Sequence, residues 1–85
     1  MAIARVIDEQ LLGCRTVAFD EHALTRMGER GVTEDEVLEV LRNPDQTNLP
    51  TQPNRNRYRK VQDGRRIDVV FEQDPTQIVV ITVVA

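Results

Sequence analysis

One segment of this 85-residue chain carries polar side chains at a spacing that suits chemistry. His22, Arg26 and Arg30 occur at every fourth position, which would place them along one side of a helix. An imidazole exchanges protons near neutral pH, and a guanidinium group can bind two oxygens of a phosphate at once. The spacing therefore predicts a phosphate site with a proton-transferring group beside it.

A site of this kind suits RNA cleavage without a metal ion. That reaction uses the 2′-hydroxyl as nucleophile and needs a base, an acid and cations that stabilise the extra charge on the phosphate. We interpret His22 as the base or acid of a catalytic group and Arg26 as a cation that holds the phosphate. Lys60, or alternatively one of Arg57 and Arg59, would complete the set of cations. We expect four further residues to bind the substrate: Arg30, Arg57, Arg66 and Thr82.

Each of these residues also has an ordinary structural explanation. A histidine near the start of a helix can simply bond the backbone or a nearby acid such as Glu21 or Glu29. Arginines near the end of a helix offset its dipole and cap its last carbonyl groups. Threonine is favoured in strands, so Thr82 needs no further role there. The residue types alone leave both explanations open.

Charge is unevenly distributed along the chain. The net charge of −3 argues against binding nucleic acid through charge alone. Residues 55–66 nevertheless hold six basic residues and one acidic residue, so this segment carries +5 and the remaining chain −8. Ten of the eleven basic residues are arginine, which suits phosphate recognition. The alternative is a solvated strand whose charges protect a sheet edge from aggregation.

The composition sets bounds on size, cofactors and location. One His and one Cys cannot supply a structural zinc site, and no nucleotide-binding glycine motif is present, so we expect no metal and no organic cofactor. The N-terminal residues lack the apolar run of a signal peptide, and no stretch reaches membrane-spanning length. We therefore expect a cytoplasmic protein without membrane contact, formed by a single domain of residues 1–85.

Three segments of the first half have helical patterns. Residues 3–12 place their apolar side chains near helical spacing. A second helix is predicted between Asp20, a favourable N-cap, and Gly31, a residue that typically ends a helix. The third helix, residues 33–42, begins with the T-x-x-E pattern of a capping box.

The second half predicts a loop followed by three strands. The loop is residues 43–56, which contain three prolines and little apolar content. Asp63-Gly64 is a strong two-residue hairpin turn between the first two strands. The predicted strands are residues 57–61, 65–72 and 77–84.

This turn sets the register of the hairpin. It places Lys60 opposite Ile67 and Arg59 opposite Asp68, with Ile67 on the core face and Asp68 on the other. A second loop at residues 73–76 would then place Thr82 opposite Ile67, also on the core face.

The same register separates paired from free arginines. Arg59 has Asp68 directly opposite, so it is the arginine expected to form a cross-strand ion pair. Arg57 and Arg66 share that face and are expected to remain free for phosphate contacts.

Together these elements predict an α+β domain. Two or three N-terminal helices would pack on one face of a small antiparallel sheet of three strands in the order 1-2-3, with residues 15–19 as a candidate fourth strand. The core would rest on Ile67, Val69 and Phe71.

The pattern His22-Ala-x-x-Arg26-Met-x-x-Arg30-Gly-Val resembles an uncharacterised bacterial domain family. That family is marked by an "HAxxRMxxR" helix and an "iTv" last strand, here Ile81-Thr-Val, and the resemblance covers roughly residues 20–84. It has been grouped with the RelE-like, or barnase–EndoU–colicin–RelE, ribonucleases that often act as toxins. The resemblance implies helices on one face of an antiparallel sheet and a metal-independent endoribonuclease or a degenerate relative of one. It also implies RNA and an antitoxin-like protein as partners.

Two other classes of function remain open. The chain could be a noncatalytic member of a two-protein complex, or an RNA-binding domain without chemistry. The position of His22 relative to the basic strand distinguishes them. Convergence in one cleft favours an enzyme, and separation favours a binding module.

Overall fold

Two strands precede the helices, and three strands follow them. The computed structural model describes residues 2–85. The elements are β1 (Ile3–Leu11), β2 (Cys14–Asp20), α1 (Glu21–Arg30), α2 (Glu34–Arg42), β3 (Asn56–Gln62), β4 (Arg65–Gln73) and β5 (Gln77–Val84). The strands form one mixed sheet in the order β1-β2-β5-β4-β3, in which only β2 and β5 are parallel. The prediction of two or three N-terminal helices on an antiparallel sheet of three or four strands is therefore wrong.

The largest error concerns residues 3–12, which form a strand and not a helix. Leu12 and Gly13 both adopt positive φ angles, 52° and 80°, the conformation of a two-residue hairpin turn. This turn sets Leu11 opposite Cys14 and pairs β1 with β2. The apolar spacing fits a helix as well as a hairpin, and a leucine rarely adopts a positive φ. The turn therefore could not be predicted from the sequence.

Both helices begin where the sequence predicts. The Asp20 carboxylate accepts a hydrogen bond from the His22 N–H at 3.1 Å and caps α1. Thr33 and Glu36 form the predicted capping box, with bonds of 3.1 and 2.9 Å. Gly31 ends α1 in the left-handed conformation, at φ 64°. These caps fix His22 as the second residue of α1.

The register of the β3–β4 hairpin is also as predicted, but that of β5 is not. Lys60 lies opposite Ile67 and Arg59 opposite Asp68. The β4–β5 turn places Gln73 opposite Ile78, and a bulge between Val70 and Phe71 shifts β5 by one further residue, so that Thr82 lies opposite Val70 and not Ile67. Thr82 therefore belongs to the face that carries Asp68, away from the helices, because neighbours across a sheet point to the same side.

The two faces of the sheet differ in what covers them. The inner face carries the core, in which α1 and α2 pack on buried residues of the strands. These include Phe19, Ile67, Val69, Phe71, Val80 and Val83. The outer face has neither helix upon it, and it carries Asp68 and Thr82.

Both edge strands of the sheet contact α2 through their side chains. Arg5 and Glu9 on β1 form ion pairs with Glu34 and Arg42 of α2. From the opposite edge, Gln62 on β3 donates a hydrogen bond to a carbonyl of α2. Five flat strands would span about 19 Å, which is wider than a helix. Long side chains on both edge strands nevertheless reach the same helix.

The free edge of β3 is lined by the predicted loop. The Arg59 N–H donates to the Gln46 carbonyl, and the Asp45 and Gln46 N–H groups donate back to the Arg59 carbonyl. The Leu49 N–H bonds the Arg57 carbonyl in the same way. These bonds shield the edge of β3, whereas β1 forms the other edge of the sheet.

Candidate functional site

The motif residues lie on one flank of α1. His22, Arg26 and Arg30, here called the α1 row, are its second, sixth and tenth residues. Successive members are separated by a rise of about 6 Å. Ala23 and Met27 face the core, so the row occupies the neighbouring flank, where His22 and Arg30 are exposed and Arg26 is half-buried. The helix therefore presents an imidazole and two guanidinium groups side by side.

Within residues 2–85, the side chains of the α1 row have no hydrogen-bond or ion-pair partner. Most other arginines are paired with an acid, namely Arg5, Arg42, Arg55, Arg57, Arg59 and Arg65. The structural alternative was that Arg26 and Arg30 cap the C-terminus of α1. Arg65 does this instead, because its guanidinium donates to the carbonyl oxygens of Arg30 and Gly31 at 2.8 and 3.0 Å.

Lys60 lies on the inner face, beside the C-terminus of α2. Its Nζ donates to the Asn43 carbonyl at 2.9 Å and lies 3.9 Å from a Glu39 oxygen and 3.8 Å from an Asp45 oxygen. The ammonium group thus offsets the negative end of the α2 dipole. In the part of the chain that the structure describes, no bond joins it to the α1 row.

The outer face holds the remaining candidates around Asp68, a carboxylate that is only 2% exposed. Arg59 donates to both of its oxygens, through Nε at 2.7 Å and Nη2 at 3.0 Å. Arg57 donates through Nε at 2.8 Å, with its Nη2 2.6 Å away. The predicted pair of Arg59 with Asp68 is confirmed, and the expectation that Arg57 would be free is wrong. Arg66, which is exposed, has no acid partner among the described residues.

Sequence reasoning missed that Asp68 holds two arginines. Arg57 and Arg59 lie on the same face of β3, and Asp68 lies directly opposite one and diagonally from the other. Diagonal neighbours across a strand pair are within reach of a long side chain. Two arginines at alternate positions of a strand, with an acid opposite one of them, therefore form a pattern from which the double ion pair could have been predicted.

Hydrogen bonding keeps Asp68 ionised in spite of its burial. Burial raises the pKa of Asp68, but the hydrogen bonds from Arg59 and Arg57 outweigh this effect and leave the pKa below its ordinary value. The carboxylate is therefore a fixed negative charge on which two guanidinium groups are oriented.

The candidates thus occupy three places. The α1 row belongs to the helix layer, Lys60 to the C-terminus of α2, and Arg57, Arg66 and Thr82 to the outer face. Among residues 2–85, no hydrogen bond or ion pair connects the α1 row with the outer face, and these residues form no pocket. No group of three metal-binding side chains occurs in the same span, and none of its helices is long and apolar enough to cross a membrane.

Residues 19–85 match the family described as Domain of unknown function (DUF4258). The matched segment contains both helices and strands β3 to β5, whereas β1 and most of β2 precede it. Searches of the curated proteins and of the solved structures found no match.

Proposed function

The chain belongs to the DUF4258 family of domains of unknown function, and from this premise we propose that it binds RNA by holding phosphates on the α1 row. The observation that carries the proposal is that Arg26 and Arg30 have no acid partner within residues 2–85, in a chain with fourteen acidic residues. A guanidinium group that is not neutralised retains its full charge and its donors for a ligand.

The shape of the α1 row suits a chain of phosphates. Its members follow one another at intervals of about 6 Å along the helix, and none of them is an acid that would repel an anion. Arg26 is half-buried, and an arginine in such a position commonly packs its apolar stem while its charged head reaches solvent. Binding of this kind depends on phosphate contacts, and is therefore sensitive to salt and tolerant of sequence.

The double variant Arg26→Ala/Arg30→Ala is expected to bind single-stranded RNA more weakly. Loss of two phosphate contacts should also make the plot of log affinity against log salt shallower by about 1.4. Fluorescence anisotropy with a labelled RNA across a salt series measures both effects. Arg15→Ala is the matched control, because Arg15 is exposed, lies on β2 and has no acid partner in the described chain. Equal slopes for the double variant and the wild type would overturn the proposal.

A finer proposal is that the domain cleaves the RNA that it binds, as a RelE-like endoribonuclease without a metal ion. It is supported by the His22 ring, which is exposed and has no partner among residues 2–85. His22 would take or give the proton, and Arg26 would stabilise the charge on the phosphate. We rank this proposal second because Lys60, its other catalytic cation, is bonded at the end of α2. Its substrate residues beyond Arg30 lie on the outer face of the sheet.

Cleavage is tested by incubating RNA with the purified protein in EDTA. If His22 transfers the proton, His22→Ala should slow cleavage about 100-fold while its RNA affinity in the anisotropy assay stays unchanged. Intact RNA with wild-type protein that binds it would identify a binding domain without chemistry. Intact RNA without binding would point instead to a noncatalytic module that acts with an antitoxin-like protein partner.

A further inference from the structure

We propose that the outer face of the β3–β4 hairpin holds a second anion site, which binds a phosphate monoester through Arg57, Arg59 and Arg66. Asp68 is its positioning residue. The site lies apart from the α1 row, and its ligand is a single dianionic group and not a polymer of phosphodiesters.

The buried Asp68 carboxylate is unfavourable for stability by itself. Removing a carboxylate from water is unfavourable, and apolar residues often stabilise such positions better. Asp68 nevertheless lies 2% exposed on a sheet face that neither helix covers. Its oxygens accept bonds from both Arg57 and Arg59. These bonds fix the orientation of two guanidinium groups. Because the groups are already ordered, less entropy is lost when they bind an anion.

Arg57 and Arg59 keep N–H donors that are not used in their hydrogen bonds to Asp68. The Nη1 of Arg57 has no acceptor among the described residues, and Arg59 uses its Nη1 for a bond of 3.2 Å to the Gln46 side chain. The two side chains stay partly exposed, at 28% and 25%. Guanidinium groups in this state can still donate to phosphate oxygens.

Charge selects the class of ligand. Three arginines and one carboxylate leave a charge of +2 at this site, since Arg55, the next arginine along, is neutralised by Glu72. A phosphate monoester carries about −1.5 to −2 at neutral pH, whereas a phosphodiester carries one charge per phosphate. The monoester therefore matches the site.

The described outer face has no aromatic side chain on which a base could stack. Surfaces that bind single-stranded nucleic acid use aromatic side chains to stack the bases. All three aromatic residues of the chain, Phe19, Tyr58 and Phe71, belong to or pack against the inner core. Binding at the outer face is therefore expected to depend on the anionic group and not on a base attached to it.

The test is a titration of ¹⁵N-labelled protein with inorganic phosphate, at constant ionic strength, followed by NMR of the arginine Nε–H signals. The signals of Arg57 and Arg59 should shift and saturate, and Arg66→Ala and Arg57→Lys should each weaken binding about tenfold. Arg57→Lys keeps the charge and removes only the fork. Arg15→Ala should bind as wild type does. Shifts that do not saturate, or that are equal in all variants, would overturn the proposal.

Asp68→Asn separates positioning from charge. This variant raises the charge of the site from +2 to +3, so a site that acts through charge alone would bind phosphate more tightly. A site in which Asp68 positions the arginines should bind it more weakly. If the variant does not fold, Arg57→Lys decides the same question. The Arg26→Ala/Arg30→Ala variant should keep phosphate binding. A failure of the α1 row as an RNA site can therefore be distinguished from a failure of the phosphate site on the outer face.

Phosphoserine and adenosine monophosphate identify the source of the ligand. The two carry the same phosphate group on different molecules. Equal affinities are expected, because the outer face has no surface that distinguishes them. A preference for the nucleotide that survives Arg66→Ala would place its binding elsewhere and contradict the assignment of this site.

Discussion

Phe71→Ala is expected to lower the free energy of unfolding by about 4 kcal/mol. Phe71 is fully buried on β4, and its ring meets that of Tyr58 edge to face at 4.9 Å. Removal of the ring leaves a cavity in the core, and neighbouring side chains such as Tyr58 collapse into such a cavity only in part. Native domains have a total stability of about 5–15 kcal/mol, so this loss would be a large fraction of the total.

Chemical denaturation followed by circular dichroism measures this loss. Tyr58→Phe is the matched control, because it keeps the edge-to-face contact and removes a hydroxyl for which the described residues provide no hydrogen-bond partner. It should change stability by less than about 1 kcal/mol. A Phe71→Ala protein as stable as this control would show that β4 does not occupy the centre of the core.

The second large effect is expected from Asp68→Asn, which should cost about 3 kcal/mol. An amide has one acceptor oxygen and no charge, so Arg57 and Arg59 would lose most of their bonds and repel each other. The loss should be smaller than for a fully buried pair, since both guanidinium groups reach solvent. Thermal or denaturant unfolding at neutral pH measures it, with Asp8→Asn, a change at an exposed residue of β1, as control.

The same variant should change the response to acid. Folding lowers the pKa of Asp68, so this carboxylate stabilises the native state above the ordinary aspartate pKa. That contribution disappears as the pH falls through the lower pKa of the folded protein. The wild type should therefore lose stability below about pH 4 more steeply than Asp68→Asn. Parallel curves would mean that folding does not lower the pKa of Asp68. A shallower loss should remain in the variant, because folding also lowers the pKa of Glu36 and Asp74.

Two turns of the same conformation show how far the sequence could predict the fold. Asp63-Gly64 and Leu12-Gly13 each have two positive φ angles and each connects an antiparallel pair. The first was recognised because aspartate tolerates this conformation. The second was missed because leucine does not favour it, and β1 was consequently interpreted as a helix. Local signals identified both helix caps because capping depends on residues three positions apart.

The candidate site, like the fold, was predictable only in those parts that depend on local sequence. Helical spacing correctly gathered the α1 row on one flank, since that inference needs only the period of a helix. The face of Thr82 was not predictable, because it depends on a bulge between Val70 and Phe71 for which the sequence has no recognisable signal. The partners of Lys60 were not predictable either. Lys60 on β3 bonds the end of α2, and the sequence does not indicate how the loop between these two elements folds.

The place of β5 governs how the chain can fold. The last strand lies between β2 and β4, so within the sheet it joins the β1–β2 hairpin to the β3–β4 hairpin. Its parallel partners pair residues about sixty positions apart, such as Val17 with Ile78. Contacts this distant close slowly, because chain entropy must be lost before they form. β5 must therefore leave the ribosome before the sheet has a centre, and until then β2 presents an unpaired edge to other chains.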